Sequence, residues 1–216
     1  MSGGPGPYQR QQSGPRARFP GLDVLGQARH WDRVTADLVT ARLSPPSELA
    51  FFTGAEAACA GVLLNLLTGQ QDDQEIPILH MVDARLAAGE TDGWRYCDMP
   101  EDGQAWRDTL AYLDEDAAGR CGTTFADAPE ADQLKLIQAV QDLASGDWHG
   151  LNAAHVWSLW TRYTCTALYA HPLAWDEIGF SGPAYPRGYK NIGVDKLEPF
   201  EVRDARPSGD PIREGA

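Results

Sequence analysis

The segment NAAHVWSLWTRYTCTALYAHP, Asn152 to Pro172, constrains the fold more than any other stretch of this chain. Asn152 is placed to cap a helix and Pro172 to stop it. Between them Val156, Trp157, Leu159, Trp160, Tyr163, Leu168 and Tyr169 spread apolar surface nearly all the way round. A helix with one polar face can lie on a surface, but one that is apolar all round is buried in its own fold or covered by a partner.

Other helices that could bury it are legible in the same way. HWDRVTADLVTARL sets Trp31, Val34, Leu38 and Arg42–Leu43 at three- and four-residue steps and ends before Pro45. TGAEAACAGVLLNLLTG opens with Thr53 and Glu56 at capping-box spacing, buries a face of Cys59, Leu63, Leu66 and Leu67, and stops at Gly69. IPILHMVDARLAAG starts at Pro77 with a stripe of Ile78, Met81, Val82 and Leu86. GQAWRDTLAYLDEDAAGRCG carries Trp106, Leu110 and Leu113 and ends at Gly122. DAPEADQLKLIQAVQDLASG has Asp127 and Glu130 in capping positions and predicts a stripe of Leu134, Ile137, Val140 and Leu143. Strand signals are almost absent; only YKNIGVDKLEPFEV, from Tyr189, could be extended, as a wrapping tail. The expected fold is all-α: an irregular bundle of about six helices, residues 22–202, followed within that span by an ordered aromatic, Gly/Pro-rich loop. Residues 1–21 and 203–216 are Gly/Pro/polar-rich and are expected to be disordered tails.

Charge and cysteine usage narrow the function. The chain has 216 residues and a net charge of −13 without a clustered basic patch, which excludes a phosphate-backbone binder and hence a nucleic-acid partner. Cys59, Cys97, Cys121 and Cys165 are far apart, lack the CxxC spacing of metal and redox sites, and read as reduced residues of a cytosolic protein. The first residues are basic, but no apolar run follows as a signal peptide requires, and no segment has the ~20 apolar residues of a membrane span. A cytoplasmic address is expected.

Signatures of catalysis are missing. The histidines His30, His80, His149, His155 and His171 include no Glu-x-x-His or His-x-x-x-His pair, so no metal ligands are expected. Phosphate-cradling glycine motifs and GxSxG are absent. A triad of His155, Asp176 and a serine has no spacing to select it. His80 reads as a semi-buried helix residue, Trp157 and Trp160 as core stripe, and the carboxylates Asp114 to Asp116 and Asp72–Asp73 as solvated surface.

What stands out is WDEIGFSGPAYPRGY, Trp175 to Tyr189, with four aromatics, three glycines and two prolines in fifteen residues. Glycine permits positive φ and proline fixes φ, so such a loop can be rigid without being helix or strand. Aromatics and arginine are the types enriched at interface hot spots. The rings either cap the end of the bundle or form one half of an interface. No nucleophile or paired base accompanies them to favour an active-site loop.

The ending HPLAWDEIGFSGPAYPRGY resembles the C-terminal signature of the gluconate 2-dehydrogenase subunit 3 family: an aromatic helix, a proline, a Trp-x-x-Ile-Gly-aromatic run and Gly-Pro. Phe125, Pro129, Gln133 and Ile137 are similar to a second family passage, and the likeness spans about Phe19 to Val202. The resemblance implies a non-catalytic small helical subunit that holds no cofactor. Its partner would be a large FAD-dependent oxidoreductase of the glucose-methanol-choline (GMC) type, often with a cytochrome c subunit as electron acceptor. The small subunit would stabilise, mature or export that partner. Many members carry a twin-arginine signal; here Arg16 and Arg18 are not adjacent, which favours a cytoplasmic complex. Expected partner contacts are Trp175, Ile178, Gly179, Phe180, Gly182, Pro183, Tyr185, Arg187 and Tyr189, with Arg187 as an anchor for a partner carboxylate. Two alternatives remain: an enzyme in its own right using His155, Asp176 or Arg187, and a self-contained structural domain.

Overall fold

The computed structural model describes residues 18–70 and 75–206. The expectations for residues 1–17, for 207–216 and for Asp72–Asp73 lie outside the described residues. The described chain is mostly helical, as its patterning requires. A 3-10 turn at Leu25–His30 precedes α1 (Arg33–Ala41), α2 (Gly54–Thr68), α3 (Ile78–Ala87), α4 (Asp102–Cys121), α5 (Glu130–Asp142), α6 (Ala153–Ala170) and α7 (Pro172–Ile178). Two short antiparallel strands, β1 (Asp147–Trp148) and β2 (Leu151–Asn152), form the only sheet among the described residues. Within the stretch that patterning treats as one domain there are two compact units. One is Ser44–Ala170; the other combines the chain up to Leu43 with the chain from His171 onward.

In the Ser44–Ala170 unit, α6 packs against α2, α3, α4 and α5 and buries Val156, Leu159, Trp160, Tyr163, Thr164 and Ala167. The enclosure demanded by its sequence is therefore supplied within the chain, although Tyr169 stays half exposed. Trp160 is fully buried and its indole N–H finds Thr109 Oγ1 at 3.1 Å, so burying the ring orphans no donor. The α2 capping box forms as its spacing predicts: Thr53 N–H donates to Glu56 Oε2 at 2.7 Å and Glu56 N–H to Thr53 Oγ1 at 3.4 Å. Gly69 and Gly122 end α2 and α4 in the left-handed conformation. Asp83, 1% exposed on α3, accepts from the backbone N–H groups of Ala50, Phe51 and Phe52 at 2.7–3.0 Å. It thereby fixes the chain entering α2 to the body of the unit.

Several details differ from the sequence reading. Helix α5 buries Gln133, Leu136, Ile137 and Val140, while Leu134 and Leu143 face outward. Gln133 sets this rotation by donating to the carbonyls of Phe125 and Ala126, a hydrogen-bonding demand that apolar periodicity does not register. Asp127 pairs with Thr124 and does not cap α5. The hairpin β1–β2 was not foreseen: His149 and Gly150 turn it with φ of 51° and 83°, the positive pair that a tight two-residue turn needs.

The second unit is smaller and built around rings. Its core is Val24, Trp31, Val39 and Trp175, with Leu22, Ala28 and Ala36 packed against it. Helix α1 starts at Arg33 because Asp32 caps the N–H of Thr35. It buries Val39 and leaves Val34 and Leu38 outward, against the expected stripe. The segment from Tyr189 forms turns and no strand. The described ends of both expected tails are tied together, with Arg18 bonded to Asp204 at 2.7–2.8 Å and Ala205 N–H donating to the Arg18 carbonyl at 2.9 Å. Composition placed 18–21 and 203–206 in disordered tails; a long-range ion pair and backbone bond order them.

Candidate functional site

Trp175 to Tyr189 begins as helix. His171 caps α7 through Nδ1, which accepts from Leu173 N–H at 3.3 Å, and Pro172 occupies the first turn. The His171 imidazole is 2% exposed, and burial pushes its pKa down to about 4. Neutral, it can accept that bond. Gly179 ends the helix at φ 77°. A Cβ there would lie 2.5 Å from the Phe19 ring, and one on Gly182, φ 78°, would lie 2.5 Å from the Trp31 ring. Both conformation and space therefore demand glycine. The two rings clamp the loop at two points three residues apart.

The expected contact residues consequently divide. Trp175 is 4% exposed, lies in the core and meets Phe180 edge to face at 5.1 Å. Gly182 is buried and Pro183 half-buried. Ile178, Phe180, Tyr185 and Tyr189 stand 48%, 41%, 65% and 57% exposed. Apolar exposure continues beyond the expected stretch through Ile192 and Val194, which the sequence reading had assigned to a wrapping tail. Arg187 donates from Nη1 to Gln27 Oε1 at 2.9 Å and stacks 3.8 Å from the centre of the Phe200 ring.

The residues weighed for catalysis are engaged within their own units. Asp176 Oδ1 accepts from Val24 N–H at 3.1 Å. His155 lies 2.9 Å from Asp98 and stacks on Tyr96, with ring centroids 3.6 Å apart. His149 bonds Asp116 at 2.8 Å and stacks on Tyr112. Among the described residues no group of three His, Cys, Asp or Glu side chains is disposed to hold a metal ion. The four cysteines are free, and burial pushes the Cys59 thiol far up.

A second feature escaped the sequence reading. The Ser44–Ala170 unit has a cleft of about 790 Å³ between the Phe51 region, the turn Gly89 to Arg95 and the first turn of α4. Asp102 and Tyr163 belong to its wall, and the Tyr163 hydroxyl donates to Asp102 Oδ2 at 2.8 Å. Beside them Arg162 bridges Asp102 and Asp92, and Arg85 also pairs with Asp92. Burial pushes the Asp92 carboxyl up, but hydrogen bonds from Arg85 and Arg162 outweigh it and hold the group below its ordinary range. Burial together with the bond to Asp102 drives the Tyr163 phenol upward, so it stays a donor. Arg85, Asp92, Asp102 and Arg162 sit in separate helices and a turn, and no spacing in the sequence links them.

No curated protein and no solved structure matches this chain. Residues 55–182, from α2 to the second clamped glycine, match the family described as gluconate 2-dehydrogenase subunit 3. That match is narrower than the expected Phe19 to Val202 and ends before Pro183, Tyr185, Arg187 and Tyr189. No helix among the described residues is long and apolar enough to cross a membrane. With more than half of its length in the match, the chain belongs to the gluconate 2-dehydrogenase subunit 3 family.

Proposed function

We propose that this chain is a non-catalytic small subunit that binds and stabilises a large FAD-dependent dehydrogenase of the GMC type. The flavin and the chemistry would reside in that partner, with no cofactor held here. The observation that carries this reading is a set of exposed rings on a backbone already fixed: Phe180, Tyr185 and Tyr189, with Ile178, held over Trp175 and the glycines clamped by Phe19 and Trp31. Preordering lowers the entropy lost on association. Covering the rings contributes roughly 25 cal/mol per Å² of apolar surface before association costs. Trp175, Gly179, Gly182 and Pro183 act from beneath by holding the shape. Membership of a dehydrogenase-subunit family supports the class of partner. A cytochrome c subunit would be a further member of the assembly. The four unpaired cysteines support a reducing, cytoplasmic setting.

Co-expression with a GMC-type flavoenzyme from the same organism tests the reading. The two should co-elute as a yellow complex, and Phe180→Ala with Tyr185→Ala should lower the soluble, flavin-loaded yield. Equal yield with and without this chain would sink it. The cleft supports a second reading, in which the Ser44–Ala170 unit takes a small molecule, because 790 Å³ falls within the size range of ligand pockets. Turnover of a sugar or alcohol by the purified chain alone, with an artificial electron acceptor, would favour it.

A further inference from the structure

Arg187 lies in the exposed aromatic stretch, yet one edge of its guanidinium is enclosed. Nη1 reaches Gln27, while Nε and Nη2 are buried with no partner among the described residues. Those two N–H groups point the same way and form the side-on fork that grips a carboxylate through two parallel hydrogen bonds. A buried charged donor without an acceptor is costly. Arg85 and Arg162 each leave one buried nitrogen unpaired as well, but both already hold a carboxylate. Arg187 holds none.

Carboxylates are near in sequence but engaged elsewhere. The arm that brings Phe200 over Arg187 also carries Glu198, Glu201 and Asp204. Glu198 accepts the N–H groups of Lys190 and Asn191, Glu201 that of Glu198, and Asp204 accepts from Arg18 and Arg206. In a chain with 31 acidic residues, an ion-pair partner for Arg187 is the simplest thing for the fold to supply. It supplies instead the Phe200 ring, stacked 3.8 Å from the guanidinium, and leaves the Nε/Nη2 edge buried. Ile192 and Val194 on the same arm are 88% and 92% exposed, so the arm makes little apolar contact there.

We propose that the Nε/Nη2 edge of Arg187 is a carboxylate-binding site, covered by the Phe200 arm and filled by an Asp, Glu or C-terminal carboxylate of the docked partner when that arm shifts. This rests on the reading of the aromatic face as a docking surface. It adds the chemical identity of the partner group and the segment that must give way. The site is observable without the partner. In the full chain, the Arg187 Nε–H resonance, assigned by its loss in Arg187→Lys, is followed during titration with sodium acetate and with sodium chloride at constant ionic strength.

Acetate should shift the resonance saturably where chloride does not, and Phe200→Ala should lower the acetate midpoint at least about ten-fold by uncovering the fork. If Phe200→Ala fails to fold, Phe200→Leu replaces it. Equal responses to both salts, or no response once the ring is removed, mean that the edge holds only water and overturn the inference. With the flavoenzyme, Arg187→Lys keeps the charge but loses the fork, and should weaken capture by about ten-fold or more. Equal capture by both forms overturns the inference and leaves the aromatic docking face standing. An acetate site in a chain that captures no flavoenzyme supports the site and removes only the docking reading.

Discussion

The two compact units use the same residue types to opposite ends. In the Ser44–Ala170 unit the rings of the core helices go inside: Trp106, Trp160, Tyr163 and Phe125 are all but fully buried, while Trp94 and Tyr169 stay about half exposed at its surface. Its charged groups close on one another, with Arg85 and Arg162 meeting Asp92 and Asp102. In the other unit the rings divide. Trp31 and Trp175 form a small core, Phe180, Tyr185 and Tyr189 remain outside, and Arg187 has no carboxylate on its Nε/Nη2 edge among the described residues. A unit whose arginines each hold a carboxylate has the character of a scaffold. One that leaves rings exposed while fixing its backbone has what the proposed docking face requires.

The largest expected effect lies on the scaffold side. Asp83→Ala removes the acceptor of three backbone N–H groups, that of Phe52 buried, and should cost about 3–5 kcal/mol, read as a lowered denaturation midpoint and faster hydrogen exchange in α2 and α3. A loss below about 1 kcal/mol would mean that water replaces Asp83 and the scaffold is not closed there. On the other side, Gly182→Ala drives a Cβ into Trp31 at a positive φ and should cost about 2–4 kcal/mol, read by the indole signal of Trp31. A near-neutral result would show that the clamp does not hold the loop.

Acid should separate the units next. The unfolded chain protonates His171 near its ordinary value of 6.5, the folded one only near about 4. Between those values the unfolded state binds more protons. The contribution is therefore complete above about pH 6.5 and lost as the pH falls toward about 4, on the order of 2 kcal/mol after allowance for screening. His171→Asn, which keeps a capping acceptor, should remove that step from a pH series of α7 hydrogen exchange. Tyr163→Phe breaks one bond of the closed network and should cost about 1 kcal/mol in a urea titration. The smallest effect on stability is expected from Phe180→Ala with Tyr185→Ala, within about 0.5 kcal/mol per site, although these changes should act most on complex formation. A large loss of stability would mean that the rings cap their own unit.

Much of the fold was legible because helix signals are local. The Thr53–Glu56 capping box, the stops at Gly69 and Gly122 and the enclosed character of α6 each depend on neighbours within a turn or on side-chain type. Readings failed where a distant polar partner decided the outcome. Gln133 rotated α5 by reaching back to the Phe125 carbonyl, and Arg18 ordered the chain ends by meeting Asp204. The candidate face was found by composition. Composition did not reveal that Trp175 supports it from within while Ile192 and Val194 extend the apolar exposure beyond it.

The sequence by itself determined an all-α chain, a helix that had to be enclosed, and a rigid aromatic stretch with the signature of its family. Those follow from side-chain period, caps and residue type, which act over a few residues. Only the tertiary structure decided which rings face out, that Gly179 and Gly182 are clamped by Phe19 and Trp31, that a cleft stands beside Asp102 and Tyr163, and that Arg187 meets no carboxylate among the described residues. Each of these depends on groups distant in sequence meeting at a few ångströms, a distance that the order of residues does not encode.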